Sequence, residues 1–431
     1  MVALFKALQV ILALSILIIV HEFGHFLFAR MFGIRVEKFY LFFDVGGKAL
    51  LRWRWGETEF GIGWLPFGGY CKIAGMVDES MDMGQLKRDP QPWEFRTKPA
   101  WQRLFVLAGG VLFNFIFAIL VYSAICGIWG TAYISNADSA VYPNELAREM
   151  GFKPGDRILK LDDYVPEDFG MLQADLARRE VRCATVLRGA DTVRLYIDQS
   201  MIGDVLNSPL MFDLAMPFVV DSLSSEANSA VLSKGDAVLR IEGHDARYLQ
   251  DASPILRDHA GQTVTATVRR DGVVSEVQLQ VDTAGRVGVF VTPPSVKRQT
   301  YDGLAAIPAG LKRTGSTISG YLSDLKMVFK PSTKAYKSVG SFIAIGQVFP
   351  GKWDWYQFLN ILALLSIMLG VVNLIPIPGL DGGHILFTLY EMITGRKPSD
   401  KFLYIMQLIG MVLLFALMFL AFGNDIMRLI R

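Results

Sequence analysis

The sequence predicts a multi-pass α-helical membrane protein with about four transmembrane helices, two inserted α/β domains and a membrane-associated β-hairpin. Three observations carry this reading. Apolar residues make up 52% of the 431 and charged residues only 19%, with a mean hydropathy of +0.34, the composition of a membrane protein with a sizeable polar part. Four stretches reach the roughly 20 apolar residues that a bilayer crossing takes. A long polar stretch between the second and third of them contains a repeat.

Composition also excludes some functions. A net charge of +2 is too small to suggest nucleic acid as a partner. Cys71, Cys126 and Cys183 are far apart and match no disulfide framework or thiolate zinc site.

The first span covers residues 1–32. Its one early lysine, Lys6, and its apolar run suit a signal peptide. No small-x-small cleavage site closes it, however, and apolar character resumes after His25, so a retained helix is expected. The segment 33–100 follows, with "TEFGIGWLPFGGYCKIAGM" (58–76) too short and too broken to span. It reads as a hairpin on the membrane surface, or as a β-loop that dips beside the site and must then pack on helices or line a cavity. The second span is 101–130, the third 357–388 and the fourth 401–423. Basic residues (Arg30, Arg35, Arg96, Lys98, Arg103; Arg396, Lys397, Lys401) crowd the first and third connections, which places them in the cytoplasm. The long second connection then lies outside it, and an amphipathic juxtamembrane segment (293–356) leads back to the third span.

That connection repeats itself. "GFKPGDRILKLDDY" (151–164) and "VLSKGDAVLRIEGH" (231–244) share a Gly-Asp followed by an alternating strand. Each is followed by a helical candidate and a strand pair, and Asp271-Gly272 gives the second pair a hairpin signal. The two units, 131–208 and 209–292, look like PDZ domains, which capture extended peptide at a sheet edge.

Chemistry concentrates in "SILIIVHEFGHFLFARMFG". A charged group at a helix centre in hydrocarbon costs about 2.5–3.5 kcal/mol on insertion scales. Two imidazoles and a carboxylate therefore need a reason. On a helix, His21 and His25 lie one turn apart on one face and can share a metal ion, with Glu22 beside them to take a proton from a bound water. Zinc suits imidazole and lowers the pKa of its water toward about 7. A third protein ligand is expected from elsewhere. Asp381, in "VVNLIPIPGLDGGHILF" (371–387), sits where Pro376 and Pro378 break the helix, and is preferred over His384. Asn373 either holds substrate backbone or caps the broken helix. Asn114, alone in the second span, reads first as a helix-to-helix hydrogen bond.

Taken together, HEFGH, "LPFGGYCKI", the Gly-Asp pair and "NLIPIPGLDGGH" resemble the site-2 protease family, closest to its bacterial members with tandem PDZ domains. The resemblance runs over nearly the whole chain in the same order. It implies an intramembrane zinc metalloprotease with one Zn2+ per chain on His21, His25 and Asp381, and Glu22 as catalytic base. It further implies substrate contacts from Asn373 and from the loop glycines Gly61, Gly63, Gly68 and Gly69. The implied partners are the lipid bilayer and single-pass membrane proteins such as an anti-sigma factor, already shortened by a first protease. Peptide or protein ends would meet the PDZ pair on the periplasmic side of the inner membrane. Two departures stand out: "AGGVLFNF" lacks an expected proline, and "LDDY" replaces a turn glycine in the first repeat. Two other classes fit less well. A catalytically silent PDZ scaffold would not need the intact His21, Glu22, His25 and Asp381, and a metal transporter would need more intramembrane ligands.

Overall fold

The computed structural model of the chain describes residues 2–76, 89–330, 340 and 342–430, which fall into two compact units. The bulk of one unit is Ala132–Gln299. The other combines Met1–Thr131 with Thr300–Phe329 and the C-terminal part of the chain.

Four helices of the second-named unit are long and apolar enough to cross a membrane: Val2–Met31, Ala100–Trp129, Trp355–Leu374, and Lys401–Met427 within Asp400–Ile430. Thirty residues in each of the first two give about 45 Å of helix at 1.5 Å per residue, more than a hydrocarbon core of about 30 Å needs. Span one is apolar all round, and its buried stripe follows helical spacing through Gln9, Ala13, Leu17, His21 and His25. Spans one and two touch backbone to backbone. A Cβ on Gly24 would lie 2.2 Å from the Gly109 oxygen, and one on Gly109 would lie 2.5 Å from the Gly24 oxygen. Small residues at such a crossing let membrane helices approach.

The third apolar stretch is two helices. Trp355–Leu374 stops at Ile375, which is extended (φ −62°, ψ 136°), and a new helix runs over Asp381–Thr394. The cause is Pro376 and Pro378, which offer no N–H and push the residue before them out of the helical region. The segment 357–388 is thus broken at Ile375–Leu380, where the prolines were expected to break it, and Asp381 opens the next helix.

A four-stranded sheet packs beside span one. Its strands are β1 (Val36–Phe43), β2 (Ala49–Trp55), β3 (Thr58–Gly63) and β4 (Leu65–Ile73), in the order β2-β3-β1-β4. The hairpin expected within 58–76 is not formed. β3 and β4 are joined by Trp64 alone, too short for a two-residue hairpin turn. Instead β3 runs parallel to β1 on one side and β4 antiparallel to it on the other. The hairpin is β2 with β3, closed where Trp55 pairs with Thr58. Ile34, Val36 and Ile73 seal the sheet onto Ala29 and Val106 of the first two spans. In the juxtamembrane stretch, Ala306–Val328 is a helix that lays Ile318, Tyr321 and Leu325 against span two.

The other unit repeats one plan twice. The first copy has a three-stranded sheet (Arg157–Leu161, Cys183–Arg188, Asp191–Tyr196), a helix (Leu172–Arg178) and a short strand pair, Val141–Pro143 with Phe212–Leu214. The second has a sheet built on Ala237–Ile241, Thr263–Arg270 and Val273–Gln280, a helix (Leu249–Asp258), and the pair Ser222–Leu223 with Val289–Phe290. The shared Gly-Asp has a structural reason. Asp156 and Asp236 are buried, and each grips the arginine at the end of the next long strand through both carboxylate oxygens. Arg188 donates to Asp156 at 2.8 and 2.7 Å, and Arg270 to Asp236 at 2.7 and 2.5 Å. Paired, fork-shaped contacts of this kind hold a buried carboxylate that would be costly alone.

Candidate metal centre

Span one turns His21 and His25 onto the same buried face, and their Nε2 atoms lie 3.3 Å apart. The break after span three brings Asp381 to them. Its Oδ2 is 3.2 Å from His21 Nε2 and 3.5 Å from His25 Nε2. Among the described residues these three side chains form the one group of histidine, cysteine or carboxylate residues with donor atoms close enough to hold a metal ion.

The dimensions fit zinc. Donors at about 2.0–2.1 Å from a tetrahedral centre stand about 3.3–3.4 Å from one another, and the three separations here bracket that value. Asp381 Oδ2 is sealed from solvent and makes no well-aligned hydrogen bond among the described residues, so it faces only the two imidazole nitrogens. A buried carboxylate oxygen without a donor is expensive. A cation at the centre of the triangle removes that cost.

The surroundings hold the rings. His25 Nδ1 lies 2.8 Å from the Val106 carbonyl oxygen, which can only accept, so Nδ1 carries the proton and Nε2 keeps its lone pair. His21 Nδ1 lies 3.1 Å from Asn114 Nδ2. Both rings rest on Gly110 of span two, where a Cβ would come within 2.4 Å of His25 Nε2 and 2.6 Å of His21 Cε1. No other residue leaves room for the pair.

Glu22 lines the same cavity, about 790 Å3 in volume, and its carboxylate accepts from the backbone N–H of Cys71. β4 is an edge strand, and Gly69 to Ile73 form one wall of the cavity. Span four forms another through Gln407, Met411 and Phe415. Asn373 is brought in as well, with its amide nitrogen 3.3 Å from His21 Nε2. His384 also lines the cavity, but its Nε2 is 3.1 Å from Gln407 Oε1 and stands outside the donor triangle. Of the loop glycines, only Gly69 lines the cavity. Gly61 packs against the Tyr40 ring, Gly68 against the Phe43 ring, and Gly63 against the backbone of Phe42 and Phe43 where the chain crosses the end of β1.

Three contributors were not singled out from the sequence as parts of the site: Gly110, the Cys71 N–H and Gln407. A glycine pair inside an apolar span, one turn before Asn114, is the signal that could have found the first. The other two depend on pairings between distant segments and leave no local mark.

A model of peptidase family M50 matches residues 9–417. The regulator of sigma-E protease RseP of Salmonella typhimurium is 30% identical over 452 residues, covering 97% of this chain and 98% of that protein. Protease RseP of Yersinia pestis is 29% identical, again over 97% of this chain and 98% of its own length. A Vibrio cholerae protein, named as a candidate zinc metalloprotease, is 29% identical over 99% of both chains.

Proposed function

This chain belongs to peptidase family M50, the site-2 proteases, and is a membrane metalloprotease; from that premise we propose that it cuts a peptide bond within the transmembrane segment of single-pass membrane proteins. The observation that carries the proposal is position. His21 and His25 lie on a helix long enough to span a membrane, at the far end of an apolar stretch of about twenty residues, with Glu22 beside them, and Asp381 meets them from the break that follows a second such helix, Trp355–Leu374. A bond that reaches this site has to come from within or beside the bilayer.

His21, His25 and Asp381 would hold one zinc ion. When bound, the ion lowers the pKa of water and polarises the scissile carbonyl. Glu22 takes the proton from the attacking water and returns it to the leaving amine. The Cys71 N–H holds the Glu22 carboxylate in place. A helical substrate shields its own peptide bonds, so it must unwind locally. The outer edge of β4 then offers strand pairing that offsets the lost helical hydrogen bonds. Asn373, beside His21, is placed to hold substrate backbone.

The finer reading follows the family resemblance of the motifs. The protein sits in the bacterial inner membrane, and its substrates are of the anti-sigma factor type, trimmed by a first protease during envelope stress signalling. The two repeats of 132–299 act as PDZ-like domains on the periplasmic side, where they meet the trimmed end or screen substrates by bulk. The basic residues of the first and third connections support that orientation.

The direct test of the centre is metal content. Purified wild type should carry about one zinc per chain, and Asp381→Ala or His25→Ala should carry almost none and cut nothing. Variants that keep their zinc would remove the basis of the proposal.

A further inference from the structure

The two imidazoles are anchored by partners of different kinds. The Val106 carbonyl leaves His25 no choice of tautomer. The Asn114 amide leaves His21 two. If its Nδ2 donates to Nδ1, the ring proton sits on Nε2, and that nitrogen is lost to a metal. If its Oδ1 accepts, the proton sits on Nδ1 and the Nε2 lone pair joins those of His25 Nε2 and Asp381 Oδ2. The two orientations of an amide place oxygen and nitrogen almost identically, so the hydrogen-bond network decides between them.

We propose that Asn114 is a positioning residue whose Oδ1 accepts the Nδ1–H of His21 and holds that ring in its metal-binding tautomer. Only this orientation turns three lone pairs toward one centre. Asn114 is fully buried; as placed, its Nδ2 lies 3.1 Å from His21 Nδ1 and its Oδ1 has no hydrogen-bond partner among the described residues, so turning the amide over brings an unused acceptor onto the ring nitrogen and breaks no bond of Oδ1. Its backbone is fixed from a third helix, where Ser366 Oγ donates to the Asn114 carbonyl oxygen at 2.8 Å. Gly110, one turn earlier, lets the ring come down onto the same face of span two. Partners of this kind fix ligand orientation, and their loss commonly costs about 10–100-fold in metal affinity. Here one of the two is a side chain, so Asn114 is where a substitution can tune the centre. The inference rests on the reading of the triangle as a metal centre and is independent of the substrate.

The test uses the full-length protein in detergent. Zinc affinity is measured by chelator competition for the wild type, Asn114→Asp and Asn114→Leu, which are close in size. Asp keeps an acceptor at Oδ1 and removes the donor, whereas Leu removes both. The expected result is affinity within about threefold of wild type, or tighter, for Asp, and about 10–100-fold weaker for Leu. Nitrogen-15 histidine spectra of the zinc-loaded wild type should place the His21 proton on Nδ1, protected from exchange, with its resonance moved in Asn114→Asp. His21 is assigned by its absence in His21→Asn.

Leu binding zinc as tightly as wild type, Asp falling as far as Leu, or a His21 proton on Nε2 would each overturn the proposal. Should Asn114→Leu fail to fold, the Asp variant and the wild-type spectrum decide alone. A wild type without zinc would sink the metal centre itself; a zinc-bearing wild type with an indifferent Leu variant would sink only the role of Asn114.

Discussion

Gly110 carries as much of the site as the residues that would touch metal. The imidazoles of His21 and His25 lie where its side chain would be, so their 3.3 Å spacing depends on a missing methyl group. Gly110→Ala should therefore weaken zinc binding by more than about tenfold. Alanine is the better helix former by about 1 kcal/mol, so a loss of zinc would report displaced rings and not a weakened span. Chelator competition checks this, and unchanged affinity would show that the rings adjust freely. At this scale the sequence was most legible where chemistry is local. His21, Glu22 and His25 declare themselves by one helical turn in an apolar run, and Asp381 by the prolines and glycines around it. Asn114 read as a bond between helices, which it is, but its partner is an imidazole nitrogen. That identity depends on how spans one and two cross, and no spacing within span two records it.

Elements place these residues, and the edge strand β4 is the one that links structure to catalysis. Its Cys71 N–H points at Glu22 and away from the ladder with β1. Proline there removes that N–H and a strand-pairing position together, while no ligand of the metal centre is touched. Cys71→Pro should cut the cleavage rate by about 100-fold, the scale of a 1 Å misplacement, with zinc content unchanged. Lost zinc would mean that β4 supports the centre itself. The spans were legible from length and hydropathy, and the break after Leu374 from Pro376 and Pro378. The sheet was not: β3 pairs in parallel with β1 from some twenty residues away, and a one-residue link to β4 forces β1 between them. Nor did the Gly-Asp repeats reveal their arginines, which stand 32 and 34 residues downstream.

On the scale of the molecule, the chain divides its labour between two units. One gathers four apolar helices, an edge strand and a buried donor triangle. The other, inserted between spans two and three, repeats an α/β plan twice. On the proposed function, its substrate is itself a membrane helix and Glu22 is the general base. The most direct measurement compares wild type and Glu22→Gln, purified in detergent, on a tagged single-pass membrane protein shortened on its outer side. Zinc content is determined for both, and the product masses locate the cut. The account predicts about one zinc in each protein, a wild-type cut inside the transmembrane segment, and a rate lower by about 100- to 10,000-fold in the variant. A zinc-bearing wild type that cuts only outside the segment, or a Glu22→Gln that cuts as fast as wild type, would contradict it.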